Sequence, residues 1–480
     1  MKIAVIVPPA YRPFMPSFFA GAVAEKIREL GHIVDVKDVN KSFFDYIYND
    51  NLTIEYDNGE KCVNTSFYNK NIVTKFKTTC NGEELSKKEF DALQDEIELR
   101  NRILEKHISC LKFGFFDIRY DIQESGENSN GLIIEILNKT VRIEDYNGIA
   151  IVVESNNQWY FSSIILEMFK DLKNKTILVI VPQYGVVKHS PLVDNKYYIT
   201  LTWEDNIKTL LKDILKGNEN RDDLCYHINK GSPEIDNFFD FNIDDFSNND
   251  YYYPVKKYPV ATSLGCSYGK CVFCPYSIGK RSFVLKKEKV FLQLANAFNK
   301  GYSFIEFIDP NIHINYLLEI ANYLIKNDLK VNWIANTRLY EQLLYDKNCE
   351  LLQRSGCKKL FIGLESYDQK LLNDMNKGIL ITNIVKVLEN LKKHSISTHT
   401  SFLFGFPGET QEQATRTELF IKDNINLMDV VEINRYVDVL GSNEITKEYD
   451  VEKVVMRLRE YVDNHNKAPS YYNIYRLIIE

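Results

Sequence analysis

The sequence predicts an α/β protein with two successive parallel sheets. Three observations carry this. Apolar runs of strand length recur along the chain, stretches of helical period fall between them, and the rhythm lapses and restarts near residue 258. A length of 480 residues also exceeds what one hydrophobic core usually serves.

The amino terminus, MKIAVIVPPAYRPF, has one lysine and a short apolar run ended by Pro8-Pro9, with no small-residue cleavage site. It reads as a buried first strand, not a signal peptide. PSFFAGAVAEKIRELGH follows with helical spacing and a C-cap glycine, Gly31. HIVDVKDV supplies a second strand. The alternation resumes at GIAIVVES (148–155) and continues through WYFSSIILEMFKDLKN, TILVIVPQYG (176–185), YYITLTW (197–203) and EDNIKTLLKDILKG. This order predicts a doubly wound domain over residues 1–230. Its insertion at about 41–145 must carry structure of its own, including a long helix opened by the capping box Ser86-x-x-Glu89. Residues 231–258, rich in Asn, Asp, Pro and Tyr, read as a linker wrapped over the surface. From Val260 the alternation returns: YPVATSLGC, FIEFID (304–309), KVNWIAN (330–336), KKLFIGLES (358–366), STHTSFLFGFP (397–407) and VVEINRYVDVL, with helices such as ITNIVKVLENLKKHS between them. The second domain is expected over 259–440, with a short helical tail over 441–480.

A formal net charge of −7 gives no global basic field to draw in nucleic acid or anionic membrane. No apolar run approaches the ~20 residues that span a bilayer. A soluble cytoplasmic protein is expected. Nine cysteines are too sparse for a disulfide scaffold. Cys62, Cys80, Cys110, Cys225, Cys349 and Cys357 are scattered and read as small buried hydrophobes.

The remaining three stand together in GCSYGKCVFCP, spaced Cys-x4-Cys-x2-Cys as Cys266, Cys271 and Cys274. Clustered thiols in a reducing compartment read as metal ligands. A structural zinc site wants four ligands, and no second CxxC pair exists here. His394 and His399 have a permissible spacing but straddle a helix end and a strand. Iron–sulfur clusters are also held by closely spaced thiolates. Three ligands on a cubane leave one iron open for substrate or cofactor, and that reading is favoured over zinc.

With Phe273 before its last cysteine, this loop resembles the signature of radical S-adenosylmethionine (SAM) enzymes. Later strands agree in order. FIEFID, ending at Asp309, stands where that family contacts the methionyl amine. FIGLES, ending at Glu365 and Ser366, resembles a strand end associated with the adenosyl ribose and methionine. FLFGFPGE (402–409) resembles a Phe-Gly-Phe-Pro-Gly-Glu-Thr run of the same family. Pro8-Pro9 and Pro16-Ser17 resemble the opening of the branch with an N-terminal cobalamin-binding domain. The resemblance spans most of the chain and is weakest in the insertion and after Gly441.

It implies a Rossmann-like doubly wound domain followed by a partial (β/α)6 barrel of the TIM type, with active groups at the C-terminal strand ends. It also implies a 4Fe–4S cluster on Cys266, Cys271 and Cys274. SAM would be held by Phe273, Asp309, Asn336, Arg338, Glu365 and Ser366, with Arg338 suited to a bidentate contact with the methionyl carboxylate. Cleavage of SAM would give a 5′-deoxyadenosyl radical that abstracts a substrate hydrogen. The implied partners are a small-molecule or peptide substrate and an electron donor such as flavodoxin or ferredoxin.

The chain departs from the family pattern in places. Four residues, Ser267 to Lys270, separate the first two cysteines where most relatives have three, and Gly269 supplies the freedom for a bulge. Asp309-Pro310-Asn311 replaces Gly-Gly-Glu. The Asp-x-His-x-x-Gly motif is absent, and Pro182, Gln183 and Tyr184 stand where relatives show paired glycines. Cobalamin-dependent methyl transfer to carbon therefore stays open beside corrin-free epimerisation or cross-linking of a peptide, and beside a non-catalytic metal-binding module. His313, Cys357, Tyr251 to Tyr253 and Lys286 to Lys289 read as structural.

Overall fold

A strand apolar on both faces belongs inside a parallel sheet covered by helices. β1 (Lys2–Val7) is such a strand, with Ile3 through Val7 all buried. It leads to α1 (Phe18–Glu29), whose N-cap Ser17 accepts from the Ala20 amide, and Gly31 takes the left-handed φ of +84° that ends the helix. β2 (Ile33–Asp38), α2 (Val39–Ile47), β3 (Gly148–Val152), α3 (Gln158–Phe169), β4 (Thr176–Val181), β5 (Tyr198–Thr200) and β6 (Cys225–His227) follow. The six strands pair in parallel in the order β6-β5-β4-β3-β1-β2. The order reverses between β1 and β3, which makes their C-terminal ends the topological switch point.

This computed structural model divides into two compact units, Met1–Lys257 and Tyr258–Glu480. It describes residues 1–9, 15–47, 137–155, 158–169, 176–181, 241–246, 256–277, 283–437 and 448–465, with short pieces between. The helix expected from Ser86, the one over EDNIKTLLKDILKG, and Pro182 to Tyr184 lie outside the described residues. Within the insertion, Thr53–Ile54 pairs with Val63–Asn64 and Leu111–Phe113 with Ile118–Tyr120, both antiparallel.

The expectation of a linker lying on the surface fails where it is described. Ile243 and Phe246 are buried, Phe241 packs against Phe18, and Asp245 is ion-paired to Arg28. A Cβ on Gly21 would fall 2.4 Å from the Phe241 ring, so the helix glycine makes room for it. These apolar residues dock singly, without a period, and composition hid them.

In the second unit six strands lie in sequential order: β7 (Lys257–Val260), β8 (Phe304–Phe307), β9 (Asn332–Thr337), β10 (Cys357–Glu365), β11 (Ser397–Phe404) and β12 (Val430–Arg435). The pairs from β8 to β12 are parallel. Between them run α4 (Lys287–Asn299), α5 (Ile314–Lys326), α6 (Asp346–Arg354), α7 (Gln369–Asp374), α8 (Ile381–Lys393) and α9 (Gln411–Asp423); α10 (Val451–Asn464) follows β12. Leu360, Ile362 and Leu364 of β10 are buried on one face, while Lys359, Phe361, Gly363 and Glu365 line the other. This is the partial-barrel architecture, and its C-terminal strand ends carry the cysteine loop.

Candidate active site at the cysteine loop

β7 does not run straight into the loop. Ser263–Leu264 and Phe283–Val284 form a short antiparallel pair that frames it, an element the sequence reading lacked. Inside the frame, Gly265 and Gly269 have φ of +74° and +56°, so the extra residue of the Cys266–Cys271 interval is absorbed at Gly269. The chain then turns tightly, with the Cys274 amide donating to Cys271 O at 3.2 Å and the Ser277 amide to Cys274 O at 2.9 Å.

The loop is latched to the segment after α7. Val272 N donates to Met375 O (3.1 Å), Tyr268 Oη to Asn376 O (2.8 Å), and Asn376 Nδ2 to Lys270 O (3.0 Å). Phe273 packs against a core cluster of Leu371, Met375, Phe406 and Tyr436, which ties the loop to the Phe-Gly-Phe-Pro turn. All three cysteines are half-buried. Burial pushes the Cys274 thiol up to about 11. It also raises Cys271, against which Lys377 and Arg338 pull downward.

Lys377 was not singled out in the sequence. It is buried, and its Nζ lies 2.8 Å from Glu365 Oε1, also buried. Glu365 holds a φ of +65° at the end of β10, an unusual conformation for a side chain with a Cβ and one that clusters at functional sites. A Cβ on Gly363 would fall 2.3 Å from Glu365 Oε1 and 2.9 Å from Lys377 Nζ, so that glycine leaves the space the ion pair fills. Arg338 completes the group. Its Cζ lies 3.3 Å over the Tyr268 ring, it donates to Lys377 O, and its buried Nε has no partner.

The other sequence candidates separate from this cluster. Asp309 is buried and accepts from Thr262 N (2.9 Å), Thr262 Oγ1 (2.9 Å) and Ser263 Oγ (2.7 Å), which anchors the strand end leading into the loop. Burial, only partly offset by those donors, pushes it to about 6. Asn336 Nδ2 donates to Asp309 O at 2.8 Å. Ser366 Oγ is 3.1 Å from Thr417 Oγ1 and accepts from Asp368 N, joining β10 to α9. Beside the loop, a cleft of about 620 Å³ is lined by Ser263, Ser267, Asn311, His313 and Lys287 among others.

The donor set suits a cluster with an open position. Three thiols share one loop, two buried cations stand beside them, and one guanidinium N–H is unfilled. Among the described residues no three His, Cys, Asp or Glu gather closely enough to hold a single metal ion. Closely spaced thiolates in one loop are the ligand type of iron–sulfur clusters.

The switch point of the first unit is different. Gln158 Nε2 donates to Pro8 O at 2.7 Å, and its Oε1 accepts from Glu154 N at 2.7 Å and Ser155 N at 3.0 Å, which staples the ends of β1 and β3 together. Ser17 Oγ donates to the buried Glu154 carboxyl. At the same edge Ser155 Oγ is buried without a partner.

Residues 260–421 match the Radical SAM superfamily. The chain is 30% identical over 168 residues to an uncharacterized methyltransferase of Pyrococcus horikoshii, covering 34% of this chain and 36% of that protein. It is 34% identical over 182 residues to bacteriochlorophyllide d C-12(1)-methyltransferase of Chlorobaculum tepidum, covering 35% and 39%. The matched stretch is thus well under half of these curated relatives. In fold, the chain resembles the radical SAM methyltransferase TsrM from Kitasatospora setae with cobalamin and a [4Fe-4S] cluster bound: TM-score 0.54, 12% identity, 90% of this chain and 74% of that one. It also resembles the cobalamin-dependent radical enzyme OxsB with aqua-cobalamin bound, with TM-score 0.57, 11% identity, 98% of this chain and 58% of that one. The fold is that of cobalamin-dependent radical SAM enzymes. Residues 260–421 form a radical SAM domain, an enzyme domain.

Among the described residues no helix is long and apolar enough to cross a membrane.

Proposed function

We propose that Cys266, Cys271 and Cys274 hold a 4Fe–4S cluster whose open iron takes SAM, and that the chain uses it to abstract hydrogen from a small-molecule or peptide substrate. The observation that carries this is the three-thiol loop latched beside the buried Lys377–Glu365 pair and the unfilled Arg338 Nε. When bound, the cluster supplies the electron that cleaves SAM to methionine and a 5′-deoxyadenosyl radical. The protein's part is to hold and shield. Lys377 and Arg338 place positive charge beside Cys271 and favour its thiolate. Arg338, whose Nε is buried without a partner, would hold the methionyl carboxylate, and Phe273 packs the loop against the core beside the last cysteine. Asp309 and Asn336 support the site through the strand end instead of touching the cofactor, and Ser366 does so through α9. A small reduced protein such as flavodoxin or ferredoxin supplies the electron.

A second reading is methyl transfer to carbon, which the methyltransferase relatives support. It calls for a corrin, for which the switch point of the first unit is the expected place. The test is anaerobic reconstitution with iron and sulfide, then reduction with SAM and hydroxocobalamin present. 5′-Deoxyadenosine, methionine and retained corrin are quantified together, with Cys271→Ala as control. Deoxyadenosine lost in the control supports the radical enzyme, and retained corrin moves the reaction to methyl transfer. A colourless protein that holds zinc and cleaves nothing overturns both.

A further inference from the structure

The interval between the first two cysteines is one residue longer than in most chains it resembles, and the structure shows what the longer interval carries. Its first two side chains, Ser267 and Tyr268, are bonded to different segments. Ser267 Oγ donates to Asn311 O at 3.2 Å and accepts from Asn311 Nδ2 at 2.5 Å. Tyr268 reaches the 375–378 segment. Its ring lies flat under Arg338, 3.3 Å from Cζ, and its hydroxyl bonds Asn376 O at 2.8 Å. Gly378, with φ of +63°, makes that reach possible: a Cβ there would fall 2.6 Å from Tyr268 Oη and 3.3 Å from an Arg338 terminal nitrogen.

Arg338 is thereby fixed from two sides. One terminal nitrogen is spent on Lys377 O, and one face of the plane is covered by the ring. A guanidinium is planar, so holding its face and one corner sets the direction of its remaining edge. That edge carries Nε, which is buried without a partner. A buried donor left unmade costs free energy unless a ligand fills it.

We propose that Tyr268 is a positioning residue, which uses the lengthened cysteine interval to hold Arg338 edge-on for the carboxylate of SAM. This rests on the functional reading above. The ligand is a carboxylate because the waiting group is a cation that donates in a plane. The alternative for Tyr268 is a plain brace of the cysteine loop, and the two roles separate by readout. A brace sets cluster uptake; a positioning residue sets SAM affinity with the cluster intact.

The test uses the full-length reconstituted protein. Iron and sulfide per chain, the EPR spectrum of the reduced cluster with and without SAM, and equilibrium SAM binding are measured on the wild type, Tyr268→Phe, Tyr268→Leu, Arg338→Lys and the Tyr268→Leu/Arg338→Lys double variant. Tyr268→Leu should keep its iron and bind SAM about tenfold more weakly, the range of a desolvated cation–π contact. Tyr268→Phe keeps the ring and should stay within about threefold, the cost of one hydrogen bond. Arg338→Lys should lose at least as much as Tyr268→Leu, and the double variant no more than Arg338→Lys alone. Iron lost in Tyr268→Leu, SAM binding unchanged in it, or losses that multiply in the double variant each overturn the proposal. A wild type that takes up its cluster and binds no SAM fails at the functional reading itself, a result distinct from all three.

Discussion

The C-terminal edges of the two sheets are built alike and finished differently. At the switch point of the first unit a buried carboxyl, Glu154, takes the Ser17 hydroxyl, and Gln158 spends both ends of its amide on the neighbouring strand ends. Asp38, close by, takes the Tyr251 hydroxyl. At the barrel edge Lys377 is paired with Glu365, Glu365 stands in a left-handed conformation, and Arg338 Nε is unfilled. Parallel sheets offer ligand sites at this edge as a matter of topology. Which edge is used depends on whether the chain satisfies its own polar groups there. Among the described residues the first unit leaves a neutral hydroxyl, Ser155 Oγ, buried without a partner at its edge, whereas the barrel leaves a cationic N–H, Arg338 Nε.

Four changes would break or sharpen that contrast. The largest effect belongs to Cys271→Ala, which should abolish cluster uptake and lower deoxyadenosine formation to background; unchanged iron content would detach the barrel edge from its assigned chemistry. Next comes Lys377→Met, which strands Glu365 as a buried charge and should cost about 3–5 kcal/mol. Adding Glu365→Gln should recover most of that loss in thermal melts of the cluster-free protein. If the double variant melts no higher than the single, the pair is not the unit described here.

The third change concerns the first unit. Burial pushes Glu154 to about 7, above its ordinary 4.5, against the help of the Ser17 donor and with Asp38 adding to the rise. Between those pH values the folded chain keeps a proton that the unfolded chain gives up. The stability is therefore present below pH 4.5 and lost as pH rises through 7, on the order of 3 kcal/mol. Glu154→Gln, which resembles the protonated form, should flatten that part of the profile between pH 5 and 8. Equal slopes in variant and wild type would show that the carboxyl is not held as drawn. The smallest effect is Gly363→Ala. The added methyl crowds the ends of the Glu365–Lys377 pair and should cost about 1 kcal/mol, with SAM binding weakened while iron content holds. An alanine variant indistinguishable in both would mean that the pair has slack the distances do not suggest.

Much of this was readable along the chain. Continuous apolar runs such as Lys2–Val7 and Gly148–Val152 can only be buried strands, and helical spacing ended by Gly31 marks its own boundary. The cysteine spacing pointed to three ligands and an open fourth position, and Gly269 announced the bulge. Local physics decides these features, since period, capping and backbone freedom act within a few residues. Lys377 was not readable in the same way. It sits in Asn-Lys-Gly, which looks like an ordinary turn, and its partners Glu365, Arg338 and Tyr268 come from three other segments. The one signal available was Asn376 and Gly378 on either side of it, both in left-handed conformations that fix the lysine between them.

By itself, then, the sequence determined the α/β class, the order of strands and helices, and the loop that carries the thiols. Only the tertiary structure decided which polar groups are spent on the protein and which remain for a ligand. Asp309 accepts from Thr262 and Ser263, and Tyr268, which no local pattern marks, lies under Arg338. The reason is physical. A buried polar group is satisfied by whatever the fold brings within about 3 Å, and that neighbour is set by packing between segments distant in sequence.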